Sequence, residues 1–187
     1  VAWIARIVFL LGCVLACSGR AEAVSKEPGE YQVKAAYLYQ FTLFIEWPPR
    51  AFPQSDTPII IGVLGDDPFG IVLDETVRDV TVNNRKFLLR RLKKGEDLTP
   101  CHVLFVSRSE KERVPQILAE VQNKSILTVS ETEGFAQAGG IINFILVQGR
   151  VKFQINLPAA DSAGLKVSAK LLEVAKVIKR NDRKTGR

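Results

Sequence analysis

The sequence predicts an α/β fold: a Rossmann-like three-layer arrangement, with a mixed sheet of about six strands and helices on both faces. Three observations carry this expectation. Dense Ile/Val/Leu runs at 58–65, 101–107 and 126–129 have the apolar continuity of strands buried on both faces. Segments with helical spacing alternate with these runs, which is the signature of parallel strands joined by crossover helices. Finally, Gln148-Gly149 separates two apolar runs, 141–147 and 151–155, as a two-residue hairpin would, adding antiparallel strands at one side.

The elements follow in chain order. Residues 7–17 form an apolar run preceded by Arg6, too short to span a bilayer, which needs roughly 20 residues. With Ala21-Glu22-Ala23 after it, the run reads as a signal peptide (1–23) cleaved after Ala23. Val14-Leu15-Ala16-Cys17 offers an alternative, a lipoprotein box anchored at Cys17. The domain then occupies 24–178. Glu30 to Trp47 carries Val33, Ala36, Tyr37, Phe41, Phe44 and Ile45 at mostly helical spacing and predicts one amphipathic helix, stopped by Pro48-Pro49.

The first buried strand follows at 58–65. Asp67-Pro68 reads as an N-cap followed by proline in the first turn of a helix running to about Val77. Asn83-Asn84 marks a turn into a strand over 86–92, and 101–107 is the next buried strand. A helix over 110–122, a short strand at 126–129 and a helical turn over 132–138 come before the hairpin. Residues 168–178 predict a closing helix capped by Ser168.

Length and charge bound the function. At 187 residues, 47% apolar and 25% charged, the chain suits a single globular domain. The formal charge of +6 is concentrated in the tail: residues 179–187 contribute +4 and the leader +1, so 24–178 carries +1. A nearly neutral body argues against nucleic acid as a partner, and the basic tail reads as solvated and disordered.

No segment presents a complete catalytic, metal or cofactor motif. Gly62-Val63-Leu64-Gly65-Asp66-Asp67-Pro68-Phe69-Gly70 sits at a strand-to-helix turn but matches neither G-x-G-x-x-G nor a P-loop, and its aspartates would repel phosphate. Gly65, Asp66, Asp67 and Ser107 remain the candidate ligand turn, at the carboxyl ends of the predicted parallel strands. His102, the single histidine, reads as structural, although a hydrolase using it as base is an open alternative. Once the leader is removed Cys101 is the one cysteine, so an intramolecular disulfide is excluded. Cys101 is then a candidate redox residue, or a buried small hydrophobe. Asn143 and Asn156 flank apolar segments and read as backbone satisfiers. Aromatic density at the first helix marks Tyr31, Lys34, Tyr39, Phe44 and Trp47, with Lys166 before the last helix, as a candidate partner surface.

Four blocks together resemble the YfiR family of bacterial exported proteins. They are Glu30-Tyr31-Gln32-Val33-Lys34-Ala35-Ala36-Tyr37-Leu38 through Phe44-Ile45-Glu46-Trp47-Pro48; Ile60-Ile61-Gly62 to Gly70; Cys101-His102-Val103-Leu104-Phe105-Val106-Ser107; and Leu127-Thr128-Val129-Ser130 through Phe153-Gln154-Ile155-Asn156-Leu157 to Gly164-Leu165-Lys166-Val167-Ser168. The resemblance implies a periplasmic, dimeric, non-enzymatic regulator. It would bind the periplasmic domain of an inner-membrane signalling protein, a diguanylate cyclase or sensor kinase, and repress it, with cyclic-di-GMP and biofilm as the output. A redox switch through cysteine pairs does not transfer to a chain with one mature cysteine. A periplasmic small-ligand-binding module feeding a receptor is the alternative.

Overall fold

The structure, a computed structural model, describes residues 29–178; the expected leader and basic tail lie outside them. Its centre is a sheet of eight strands: β2 (Ile59–Leu64), β3 (Thr81–Val82), β4 (Arg85–Leu92), β5 (Val103–Val106), β6 (Leu127–Ser130), β7 (Ile142–Val147), β8 (Arg150–Asn156) and β10 (Lys176–Ile178). A separate two-stranded ribbon pairs β1 (Ile45–Glu46) with β9 (Lys166–Val167). The helices are α1 (Glu30–Phe44), α2 (Ile71–Val77), α3 (Val114–Glu120), α4 (Leu157–Ser162) and α5 (Ala169–Val174).

The sheet runs β10-β8-β7-β6-β5-β2-β4-β3. The block β4-β2-β5-β6-β7 is parallel throughout, while β7–β8 and β3–β4 are antiparallel. From β2 the chain moves to β4 on one side and then crosses to β5 on the other. This is the order of flavodoxin-like doubly wound sheets, in which the crevice between the first and third parallel strands is the usual ligand position. Here it lies at Gly65 and Ser107.

Strand alternation divides the core between two faces. Ile61, Val63, Val103, Phe105, Leu127 and Val129 pack toward Ala35, Leu38 and Phe41 of α1 and Leu73 and Val77 of α2. Leu64, Leu92, Leu104 and Val106 pack on the other side with Val114 and Ile117 of α3 and with Phe135. Gly62 belongs to this second face; a Cβ there would come within 2.6 Å of Cys101 Sγ and 2.9 Å of Leu92 Cδ1, so the close strand packing requires glycine. The α1 helix is seated on the hairpin by aromatic contacts, with the Phe41 ring 5.1 Å from Phe153 and 5.8 Å from Phe144.

The three-layer mixed architecture agrees with the sequence, with eight strands rather than about six, and three details differ. The first helix stops at Phe44, before the prolines, because Ile45 and Glu46 pair with Val167 and Lys166 and Phe44 O accepts the Ser168 N–H. The closing helix covers only Ala169–Val174; Lys176–Ile178 instead adds a parallel edge strand to Gln154–Asn156. Asp67 does not cap α2. Its Oδ1 accepts the Phe69 N–H, an Asx turn two residues ahead, and Gly70, with φ of 53°, leads into the helix.

Candidate functional site

The carboxyl ends of the parallel strands hold two neighbouring arrangements. The first is the candidate ligand turn at the switch point. Gly65 N–H donates to Leu92 O and Ser107 N–H to Leu64 O, which fastens the strand ends together. Asp66 N–H donates to Ser109 Oγ at 2.9 Å, and a Cβ on Gly65 would collide with Ser109 and Glu110. Asp67 is taken by Arg91, whose Nε donates to its Oδ2 at 2.9 Å, while the same guanidinium holds Asp74. Asp74 therefore stays ionised below the usual carboxylate range, chiefly through its hydrogen bonds from Arg91. The four predicted residues do lie together, but Ser109, Glu110 and Arg91 fill the space around them.

The second arrangement centres on Lys34. The sequence marked it as part of an exposed surface; the structure places it 2% exposed, on the inner side of α1. Its ammonium contacts Glu30 one turn earlier and Glu131, which immediately follows β6. Glu131 also accepts the Tyr31 hydroxyl at 3.1 Å and lies 3.3 Å from Arg108 Nε. The Lys34 ammonium stands 4.7 Å from the centroid of the Tyr31 ring. Burial, then the neighbouring Glu131 charge, pushes the Tyr31 phenol above its ordinary pKa, so it remains a donor to Glu131.

This cluster has its own scaffold. Ser130 Oγ donates to Val106 O and accepts the Thr132 N–H. The buried Asn143 amide donates to Ser130 O, Thr132 O and Phe144 O at 3.0–3.2 Å. These bonds fix the turn that carries Glu131. Beside it lies a cleft of ≈ 410 Å³ that includes Lys34, Arg108, Glu131, Asn143 and Gln154 among its walls. Glu131 and Arg108 escaped the sequence reading. The available signal was their position, each just beyond the last residue of a buried strand, where doubly wound sheets concentrate their polar groups.

The other marked surface residues are dispersed. Tyr31, Tyr39, Phe44 and Trp47 are half-buried, and Lys166 is exposed on the ribbon opposite Glu46. Tyr39 meets Phe87 edge-on at 5.8 Å, and Trp47 meets Phe52 at 6.2 Å. Trp47 and Lys166 share the α1–ribbon end of the molecule, whereas Tyr31 and Lys34 belong to the opposite end of α1 beside Glu131.

Cys101 and His102 sit at the amino end of β5, away from the strand carboxyl ends. Burial pushes the Cys101 thiol up to about 11, which leaves it protonated and a poor nucleophile. His102 Nδ1 accepts the Ile60 N–H at 3.1 Å, which makes Nε2 the donor to Ala51 O at 3.0 Å. Its ring stacks on Phe52 at 4.4 Å, and the Arg85 guanidinium lies 4.1 Å from the centroid of Phe52. Both imidazole nitrogens are thus used by backbone, and neither is left to serve as a general base. Among the described residues no group of three or more His, Cys, Asp or Glu could hold a metal ion, and no helix is long and apolar enough to cross a membrane.

Comparison with known proteins gives no match among curated proteins. A family model described as YfiR/HmsC-like matches residues 31–176, from Tyr31 of the Glu131 cluster to the first residue of β10. The match takes in both arrangements at the strand ends and nearly all of the described domain, and the chain belongs to the YfiR/HmsC-like family.

Proposed function

We propose that this chain is a periplasmic regulator that binds the periplasmic domain of an inner-membrane signalling enzyme, a diguanylate cyclase, and holds it inactive. The observation that carries this reading is membership of the YfiR/HmsC-like family over 31–176, a regulatory family that acts with membrane signalling proteins. The rest of the reading is export through a leader cleaved after Ala23 and action as a homodimer. Repression requires unequal affinity for the active and inactive states of the partner; equal binding to both would shift nothing. A rigid binding face suits that demand, and the Lys34–Glu131 contact ties α1 to the sheet directly. The alternative small-ligand module draws little support from the switch-point turn, which Ser109, Glu110 and Arg91 occupy.

The test is crosslinking of the exported chain in its host, with identification of membrane proteins attached to it, together with cyclic-di-GMP measured with and without the chain. Recovery of a transmembrane protein with a periplasmic sensor region and a cytoplasmic cyclase, and higher cyclic-di-GMP in the deletion strain, is the expected result. Unchanged cyclic-di-GMP with no such protein recovered would remove the reading.

A further inference from the structure

The β4 edge of the sheet is only partly covered. β3 pairs with β4 at two positions, Thr81 with Lys86 and Val82 with Arg85. From Phe87 to Leu92 the inner edge of β4 pairs with β2, and the outer edge has no strand partner among the described residues. A row of free backbone donors and acceptors of this kind is a template for another strand. Alongside it runs a groove of ≈ 650 Å³ formed with the α2–β3 segment, and at it Leu88 is 49% and Ile71 61% exposed.

Charge selects the occupant. Residues 85–94 contain six Lys or Arg and no Asp or Glu. Arg85 is committed to the carbonyls of Gln54 and Thr57, and Arg91 to Asp67 and Asp74. Lys86, Arg90, Lys93 and Lys94 make no ion pair among the described residues. Because strand side chains alternate, Lys86, Leu88 and Arg90 share one face of β4. A second copy of this chain pairing edge to edge would bring these cations against one another, and like charges across a strand pair are destabilising. Arg78 and Asp79 at the α2 end of the groove add charges of both signs and do not alter that balance.

We propose that the outer edge of β4 is a docking site for an extended segment of a partner protein, added as a further strand, with acidic, apolar and acidic residues at alternate positions. One carboxylate meets Arg90 across the new strand pair, the apolar residue covers Leu88, and backbone bonds along 87–92 supply the register. The segment leaves the edge where Thr81 already pairs with Lys86, so the other carboxylate reaches the exposed Lys86 ammonium through its side chain alone. The inference rests on the regulator reading only in assigning that segment to the membrane-bound partner.

The experiment uses the purified full chain and a synthetic peptide with Glu, Val and Glu at alternate positions and Thr between them. Hydrogen exchange is followed across residues 85–92. The Glu peptide should slow exchange there several-fold, with an effect that weakens as salt rises. A peptide with Lys in place of Glu, and one with N-methylated alternate amides, should not. The paired variant Lys86→Glu with Arg90→Glu should exchange the preference to the Lys peptide. Both side chains lie on β4 outside the core and make no ion pair among the described residues, so gained binding of the Lys peptide also controls for loss of fold. No protection by the Glu peptide, equal protection by the Glu and Lys peptides, or self-association of the chain through β4 would each overturn the proposal. Loss of peptide binding in Leu88→Asp with cyclase crosslinking intact would put the partner elsewhere and leave the regulator reading standing. Peptide binding without any cyclase partner would do the reverse.

Discussion

The side chain with most at stake is Lys34. A buried ion pair contributes little net stability, because desolvation offsets most of the Coulombic gain, but removal of one member strands the other. Lys34→Met would leave Glu131, 3% exposed, with only the Tyr31 hydroxyl and the outlying Arg108. The expected loss is about 3 kcal/mol in urea unfolding. Lys34→Met with Glu131→Gln should recover most of it, since a neutral amide can still accept from Tyr31. A double variant as unstable as the sum of the singles would mean that the two residues are not coupled. Neither the burial of Lys34 nor its partner was legible in the sequence: a lysine among the aromatics of an amphipathic helix reads as part of an exposed surface, and Glu131 is 97 residues away. Asn143 and Asn156, by contrast, were legible, because an amide beside an apolar strand has backbone groups to satisfy. Gly62 gives a second residue-scale test. Gly62→Ala drives a methyl between Cys101 and Leu92 and should cost about 1–3 kcal/mol. Adding Cys101→Ala should relieve part of that loss, a result that denaturant midpoints would show directly.

At the scale of elements, the legible parts were those whose period is set by burial on both sides. The strands 59–64 and 103–106 fall within their apolar runs because each contributes alternate side chains to the two core faces. Strand 127–130 runs one residue past its apolar run, with Leu127 and Val129 in the core and the buried polar Thr128 and Ser130 between and after them. The α1 terminus and the last helix were misread for a different reason. Both ends are determined by pairing with distant strands, β1 with β9 and β10 with β8, and no local pattern encodes a partner elsewhere in the chain. The junction of β8 with α4 shows how a single residue joins elements. Asn156 Oδ1 accepts the Ala159 N–H as the N-cap, and its Nδ2 donates to Ala136 O at 2.7 Å in the turn before β7. Asn156→Ala removes both, and should destabilise by about 2 kcal/mol, combining a lost cap with the loss of the shorter of two bonds to Ala136 O, which keeps only the Gly139 N–H at 3.3 Å. Asn156→Ser should keep the cap and lose only the donor to Ala136, giving a smaller loss. Equal losses in the two variants would mean that the cap contributes nothing.

For the molecule as a whole, the doubly wound order places its polar residues at opposite ends of the sheet with different consequences. The carboxyl ends carry the Glu131 cluster, whereas the amino end of β5 carries His102, bonded to Ile60 and Ala51 and linking β2 to the segment after α1. Burial, with a smaller contribution from the Arg85 charge, lowers the His102 pKa below its ordinary 6.5, while the bond to Ala51 opposes the shift. The unfolded chain therefore binds the proton more readily than the folded one, and stability rises with pH between the folded and unfolded values. The contribution of His102 is fully present above about pH 6.5 and declines as pH falls through that value toward the folded pKa, because protonation puts a hydrogen on Nδ1 and breaks the Ile60 bond. Asp74, lowered by Arg91, adds a separate decline only below its ordinary value of 3.8. Thermal unfolding followed from pH 7.5 to pH 5 should therefore show a falling Tm governed by His102, before the carboxylates respond. His102→Gln should unfold at lower temperature at pH 7.5 yet lose most of the slope over that range. A slope that persists in His102→Gln would assign the response to other groups and leave the His102 bonds without a part in it.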